Sequence, residues 1–346
     1  MNYKDIIADN CANHSPVNWW PLYAYHCTDI RNAVSILSSG YLYSRINAES
    51  LNIMQNNNAS LQVIEMTRPE IQSSVRFYFR PLTPTQYYNE GYKHPSIRYN
   101  NDPDANMPVP VFFVFDLSEL LSLPGIRFSE KTQAGNNTDI YNTVDDFSKF
   151  DFDKIYSNGY SDNPNEVKKF RHAELLLPDK LCIDSCLLKV CCRNSVELST
   201  LLNLLKQENN KSFHKYSNYI TIGRDSIFEK NGLFIQDCRY IDGIVSIYFA
   251  DTYKKSKYAE KMMKNSNLHS LSPIRVRLKL QWLSSKNEIC HETSASINVD
   301  YLNPNALSFS KLSVIPNART LQISIYFGND LMCCIRQPLS DTELIR

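Results

Sequence analysis

The stretch Lys169-Phe-Arg-His-Ala-Glu-Leu-Leu-Leu-Pro178 sets one acid, Glu174, at the mouth of a short apolar run. Leu175, Leu176 and Leu177 read as a buried strand that Pro178 and Asp179 end. Arg171 and His172 make the approach to that strand basic and polar. A carboxylate at the rim of a core strand is partly desolvated and rigidly held, so its position and its proton affinity can both be tuned. Catalytic acids use that placement, and purely structural charge networks use it too. The stretch alone leaves both readings open.

Outward from it, the chain alternates short strands and helices. Residues 1–18 are polar and read as a loosely held lead-in. Leu22 to His26 reads as a strand with Leu22, Ala24 and His26 on one face. Asp29 then caps a helix whose apolar positions Ile30, Ala33, Val34 and Leu37 follow the 3.6 period, and Gly40 ends it as a C′ glycine. A short helix is expected within 61–71, ending near Pro69. Val75 to Arg80 reads as a strand with Phe77 and Phe79 on one face and Arg76, Tyr78 and Arg80 on the other. Val109 to Leu117 looks the most buried of the strands. Residues 139–156 carry acids and aromatics in helix-like spacing, and 157–164 read as a turn-rich loop leading into the Glu174 strand. Ser195 to Gln207 is a helix by its apolar spacing.

The character changes after about residue 210. Residues 252–264 form a basic helix candidate with Lys254, Lys255, Lys257, Lys261 and Lys264. From Ile274 onward apolar and polar residues alternate, as in a half-buried antiparallel sheet. The fold class is therefore α+β. Residues 1–19 form the lead-in, 20–207 the first domain and 208–346 a smaller, mostly β second one.

Composition narrows the chemistry. With 346 residues the chain is long enough for about two domains. A formal net charge of +1 announces no global attraction to a polyanion, so nucleic-acid binding would need local basic clusters. Only 9 residues are glycine, and neither a Walker loop nor a G-x-G-x-x-G turn is present. The 10 cysteines are irregularly spaced; Cys182, Cys186, Cys191 and Cys192 lack the C-x2-C repeat of a zinc site and read as buried, reduced thiols of a cytoplasmic protein. No metal is expected. The longest apolar runs are too short to cross a bilayer, so no membrane association is expected either.

Four pieces of the first domain carry unusual polar residues at strand or loop ends: Tyr25 to Thr28, Arg68, the 76–88 segment, and Glu174. Taken singly, His26 reads as a satisfied core histidine, Arg68 as a surface cation and the aromatic strands as core. Together they suit a dinucleotide held in a sheet cleft. His26 and Thr28 would face ribose hydroxyls. Arg68 would pair with pyrophosphate or with the transition state, and a Tyr or Phe ring would stack on nicotinamide. Glu174 would stabilise an oxocarbenium-like centre or take a proton from the attacking group.

These residues carry a resemblance. Tyr25-His26-x-Thr28-x-Ile30-x-Asn32, Ile36-Leu37-x-x-Gly40-x-Leu42 and Ser44-Arg45 come first. Ile64-x-x-x-Arg68 and Phe77-Tyr78-Phe79-x-Pro81-x-Thr83-Pro84-x-x-Tyr87 follow. Then come Phe150-Asp-Phe-Asp-Lys-Ile155, Tyr160-x-Asp162 and Arg171-x-Ala173-Glu174-Leu175-Leu176. In this order they resemble the DarT family, ADP-ribosyltransferases that modify bases in single-stranded DNA and act as toxins paired with an antitoxin. The resemblance spans about residues 20–190 and implies the ADP-ribosyltransferase fold, a split mixed sheet with flanking helices.

It also implies NAD+ as co-substrate. His26, Thr28 and Asn32 would contact it, with Phe79 and Tyr87 near the nicotinamide end. Arg68 resembles the family's essential arginine and Glu174 its catalytic glutamate. The loop before Glu174, with Tyr160, Arg171 and His172, would face the substrate. A single strand of DNA or RNA, a cognate antitoxin and a role in phage defence follow as expectations. Two departures bear on the target. Thr85 stands where a Met is common after the Ser/Thr-Pro, and well over 100 residues extend the C-terminus. A non-catalytic nucleic-acid- or partner-binding protein is the competing class; it would bind no NAD+ and act independently of Glu174.

Overall fold

A computed structural model describes residues 2–339 except 58–63, 100–101, 103–104, 134–137, 160, 311 and 313–314. Nine strands lie in the first two thirds: β1 Tyr23–Asp29, β2 Tyr41–Tyr43, β3 Ser74–Tyr78, β4 Pro110–Asp116, β5 Arg127–Ser129, β6 Glu174–Pro178, β7 Lys180–Cys182, β8 Leu187–Cys192 and β9 Ile220–Ile222. Seven of them form one mixed sheet in the order β5-β6-β3-β1-β4-β8-β9, antiparallel except for the β8–β9 pair. β1 is at the centre with β4 beside it, and β4 residues Pro110 to Phe115 are all buried, as its unbroken apolar run requires.

The strands β1 and β3 meet in a single pair, Tyr25 with Tyr78. β1 runs on with β4, while β3 runs on with β6. Beyond the Tyr25–Tyr78 pair the sheet is split, and the lips of the split are His26 to Thr28 on one side and Ser74 to Arg76 on the other. Helix Ile30–Ser39 starts at the end of β1, with Asp29 accepting from the Arg31 amide as its cap. It ends at Gly40, whose φ of 75° is the left-handed C-cap conformation that glycine adopts without a Cβ clash.

Several local expectations need correction. The lead-in is not loosely held over its described residues: Tyr3–Asn13 is a helix with a capping box between Asn2 and Asp5, and Ile6 and Ile7 are buried. Pro69 opens a short helix, Pro69–Gln72, rather than closing one, since the missing amide of proline costs nothing in the first turn. Ile64 and Glu65 before it are helical, and the expected helix's residues 61–63 lie outside the described residues. The 157–164 loop does not lead directly into β6; helix Pro164–Phe170 intervenes, capped by Asn163, with Val167 and Phe170 buried.

The C-terminal part is antiparallel. β10 Ile235–Ile241, β11 Ile244–Phe249, β12 Ile274–Leu283, β13 Ile289–Val299, β14 Leu307–Phe309, β15 Thr320–Phe327 and β16 Asp330–Pro338 form the sheets β10-β11-β14 and β13-β12-β15-β16. In β12, Ile274, Val276, Leu278, Leu280 and Trp282 are buried and Arg275 and Arg277 are exposed, the alternation a one-sided sheet needs. β16 lies on helix Ser195–Glu208, where Asn203 Nδ2 donates to the Cys334 carbonyl at 3.0 Å and Thr200 Oγ1 accepts from the Cys334 amide at 3.0 Å. One hydrophobic core runs through both parts, from Ile6 to Ile335. No described helix is long and apolar enough to cross a membrane.

Candidate active site

Glu174 is the first residue of β6, paired with Tyr78 of β3 on one side and Ser129 of β5 on the other. Flanked by strands on both edges, its side chain is 0% exposed. Arg76 is two residues before Tyr78 on β3, and so is its diagonal cross-strand neighbour on the same face. Arg76 Nε donates to Glu174 Oε2 at 2.5 Å and Nη2 donates to Oε1 at 3.0 Å. The Gln133 amide adds a third donor to Oε1 at 3.3 Å. Burial opposes the charge on Arg76, but the Glu174 carboxylate more than offsets it and holds the guanidinium above its ordinary range.

Arg76 lines a cavity of about 550 Å³ that opens in the split between β1 and β3. That is within the usual range for a small-molecule site. Both lips of the split line it, His26 to Thr28 and Ser74 to Arg76. Helix Ile30–Ser39 supplies Asn32, Ser35 and Ile36; Tyr41, Tyr43, Tyr78, Tyr88 and Tyr99 bring rings to the lining, and Lys168 and His172 also take part in it. Arg45, Arg76 and Lys168 are cations of the lining, and no carboxylate is among its described residues. Such a cavity favours an anionic ligand that carries flat groups to set against the rings. Arg68 is not part of the lining; its Nε is buried with no hydrogen-bond partner among the described residues.

His26 bridges the split. Its Nδ1 is 3.0 Å from the Arg76 carbonyl, which can only accept, so Nδ1 carries the proton. Burial lowers the pKa of the ring; the bond to the Arg76 carbonyl opposes this and the Arg76 charge adds to it. The neutral imidazole is left with Nε2 as an acceptor, suited to a hydroxyl donor. His172 is pushed down to about 3 by burial, then by Arg76 and Lys168, and is neutral at pH 7.

Of the remaining expected residues, some lie in the cavity and some do not. Thr28 lines it and accepts from Asn32 Nδ2 at 3.2 Å. Asn32 also lines it, but its amide is engaged in holding the 55–56 backbone: Oδ1 accepts from the Gln55 and Asn56 amides at 2.8 and 2.9 Å, and Nδ2 donates to the Asn56 carbonyl at 2.8 Å. Arg68 is one step back from Glu174. Its Nη2 donates to Gln133 Oε1 at 2.9 Å, its Nη1 is 3.1 Å from Glu70, and Gln133 in turn touches Glu174. Phe79, just past the end of β3, is fully buried against Phe147 in the core. Tyr87 lies beside the cavity rather than in its lining, between Tyr88 and Tyr258. Arg171 turns toward the preceding loop, donating to Ser157 Oγ at 3.2 Å and the Gly159 carbonyl at 2.9 Å. Tyr160 lies outside the described residues.

Lys168 is a site residue that sequence reasoning missed, while Arg76, Tyr78 and Tyr88 fell inside the 76–88 segment it marked but were given no role of their own. Their signal was partly present, since Arg76 and Tyr78 stand opposite the buried Phe77 and Phe79 in the strand alternation. Among the described residues no group of three or more His, Cys, Asp or Glu is gathered as a metal site, and all ten cysteines are free.

A family model described as DarT, ssDNA thymidine ADP-ribosyltransferase, matches residues 25–224. Among solved structures, the chain is similar to Thermus sp. 2.9 DarT in complex with carba-NAD+, at 18% identity over 60% of this chain and 98% of that one, with a TM-score of 0.46. The same Thermus protein in complex with ADP-ribosylated ssDNA matches at 18% identity over 60% and 96%, with a TM-score of 0.48. Thermosipho africanus DarTG in complex with ADP-ribose matches at 16% identity over 60% of this chain and 51% of that one, with a TM-score of 0.44. No curated protein matches the chain. Because the family model takes in more than half of the residues, including both lips of the split and Glu174, the chain belongs to the DarT family and is an NAD+-dependent ADP-ribosyltransferase.

Proposed function

We propose that the chain transfers ADP-ribose from NAD+ to a thymine base of single-stranded DNA, with Glu174 as the catalytic carboxylate. The observation that carries this is a fully buried carboxylate, fixed by Arg76, behind a cation-lined cavity that opens in the split sheet. The family description supplies the substrate class. An unstacked base reaches such a recess far more cheaply than a paired one, which favours a single strand.

The residues divide the work. Arg45 and Arg76 attract the pyrophosphate, and Arg68 holds Gln133 against Glu174. His26 Nε2 and the Thr28 hydroxyl receive ribose hydroxyls, while Asn32 fixes the 55–56 backbone at that end. Tyr78 and Tyr88 offer ring faces at the other. NAD+ supplies an ADP-ribose whose C1′–N bond breaks, the electron pair leaving with nicotinamide. A base atom bonds to C1′, and the proton it gives up goes to Glu174. His172, neutral at pH 7, forms the cavity wall without adding charge, and Arg171 holds the 157–159 loop beside it.

The chain acts, in this reading, as the toxin of a toxin–antitoxin pair that serves phage defence in the cytoplasm, since base modification harms the host unless a partner protein opposes it. Labelled NAD+ offered with ssDNA and with RNA oligomers tests the substrate. The ssDNA becomes labelled, and Glu174→Gln lowers the rate by about 10²–10⁴ while NAD+ still binds. Undiminished transfer by Glu174→Gln overturns the role of Glu174; label on RNA in place of DNA overturns the choice of strand.

A further inference from the structure

We infer that one face of helix Tyr253–Asn265 carries the phosphate backbone of the single-stranded DNA whose target base enters the cavity. This rests on the transferase reading above and adds a surface outside the 25–224 region that the family model matches.

The helix separates its lysines. Lys254, Lys257, Lys261 and Lys264 are exposed. Their spacing of three, seven and ten residues from the first places them within about 80° of one another around the axis, over a rise of about 15 Å. The opposite side holds Lys255, Tyr258, Ala259 and Met262, all buried. Lys255 is used internally: its Nζ donates to the Tyr301 and Leu302 carbonyls at 3.2 and 2.9 Å and pairs with Asp251. Tyr258 packs inward with its hydroxyl 3.4 Å from the Ile97 carbonyl. Tyr253 remains 76% exposed. Along the lysine face the one ion pair among the described residues is Lys257 with Glu260 at 3.6 Å.

A row of lysines on a helix is usually just a solvated face. Its position argues otherwise here. Lys261 Nζ lies 5.3 Å from the centre of the Tyr87 ring, and Tyr87 meets Tyr88 at 5.2 Å. Tyr88 lines the cavity, and Lys168, another lining residue, is 5.5 Å over the Tyr88 ring. Cations and partly buried rings thus run without a break from the cavity lining to the lysine face. Alternating cations and aromatic rings are how proteins follow a single strand without reading its sequence. An aromatic step suits a base and a lysine suits a phosphate, so the charge complementarity points to ssDNA.

The test compares the full-length chain with a variant in which Lys254, Lys257, Lys261 and Lys264 are all changed to Gln, and with the corresponding fourfold Arg variant. Fluorescence anisotropy without NAD+ measures binding of thymine-containing oligodeoxynucleotides of about five and about twenty nucleotides, lengths on either side of a typical binding site. For the longer strand the Gln variant binds at least about tenfold more weakly at low salt. Its slope of log affinity against log salt is shallower by about two to three, at ~0.7 per lost phosphate contact. The Arg variant binds as the natural chain does, and the affinity gained with length largely disappears in the Gln variant alone. Equal affinities and equal slopes for the natural chain and the Gln variant overturn the proposal. Because the titration needs no transfer, a failure to label DNA overturns the catalytic reading and leaves this outcome legible.

Discussion

The pair formed by Arg76 and Glu174 makes a prediction about coupling that the geometry sizes. Arg76→Met removes two of the three donors to a carboxylate that is 0% exposed, leaving the Gln133 amide at 3.3 Å. Breaking a buried pair from one side typically costs about 3–5 kcal/mol, because the remaining charge stays desolvated. The Arg76 side chain is 28% exposed, so water can reach the space it leaves, and the lower end, about 3 kcal/mol, applies. Glu174→Gln strands the other partner, but a guanidinium with that exposure can hydrate, and about 1–2 kcal/mol is expected. The double variant removes both charges and should cost no more than about 2 kcal/mol. The interaction energy from the cycle is then about 2 kcal/mol or more. Urea unfolding of the four proteins measures it; with a slope near ~3 kcal/mol/M, Arg76→Met lowers the midpoint by about 1 M. In the transfer assay the same change lowers the rate at least about 100-fold, since a carboxylate displaced by ~1 Å loses that much. Additivity within about 0.5 kcal/mol would refute the claim that Arg76 is what holds Glu174.

Three further outcomes follow from the same contacts. Burial, then Glu90, push Glu229 up to about 7, against Lys254, Lys93 and Arg80. The folded chain therefore binds a proton there that the unfolded chain releases near ~4.3, and the stability lost as pH rises accumulates between those values. Glu229→Gln should gain about 1–2 kcal/mol over the natural chain at a pH about one unit above 7 and nothing near pH ~4, as urea midpoints at the two pH values will show; a gain independent of pH contradicts the assignment. Asn32→Ala frees the 55–56 backbone and should raise KM for NAD+ about tenfold, at ~1 kcal/mol for each net hydrogen bond lost, with a smaller fall in kcat; steady-state titration of NAD+ reads it, and an unchanged KM removes Asn32 from the site. A Cβ at Gly232 would come within 2.7–2.9 Å of the Gly91 backbone and the Glu90 carbonyl. Gly232→Ala should therefore cost about 2 kcal/mol or more in thermal or urea unfolding, and a cost under about 0.5 kcal/mol would show that the two backbones can part freely.

How much of this was legible in the sequence depended on the range of the interaction. Helix Ile30–Ser39 was readable because its cap, its apolar period and its Gly40 stop are all local. The alternation of β12 and the basic helix were readable for the same reason. Glu174 could be picked out by its place before three leucines, and its burial agrees. Its partner could not, since Arg76 is 98 residues away and only the β3–β6 register brings the two together. Phe79 and Tyr78 show the same limit. Alternation says they face opposite ways but not which way the split opens, and it is Tyr78 that lines the cavity. Helix Pro164–Phe170 did carry a signal, an Asn cap followed by Pro at the first position, but the surrounding turn residues outweighed it.

The least legible relation joins the cavity mouth to the C-terminal part. Helix Pro84–Asn89 carries Tyr87 and Tyr88, and its last turn is held from beyond residue 224. Gln86 Nε2 donates to the Ile227 carbonyl at 2.7 Å, and Asn231 Nδ2 donates to the Tyr87 carbonyl at 2.7 Å. Glu90, fully buried, accepts from the Glu229 and Lys230 amides at 2.8 and 2.9 Å, and Lys93 Nζ reaches both the Glu90 carbonyl and Asn231 Oδ1. Buried polar groups of this kind tolerate little displacement, because any bond they lose is not replaced by water. The ring positions of Tyr87 and Tyr88 are therefore set by residues 227–231 as much as by their own helix. The same segment leads through β10 and β11 to the basic helix, so the surface proposed for DNA and the wall of the cavity are fixed by one connected piece of chain. Gln86 and Arg193 also reach the Glu90 carboxylate from within the first part, but a C-terminal part placed merely alongside would take away the Glu229 and Lys230 amides from Glu90 and Asn231 from Lys93; the extension therefore helps to shape the wall of the cavity.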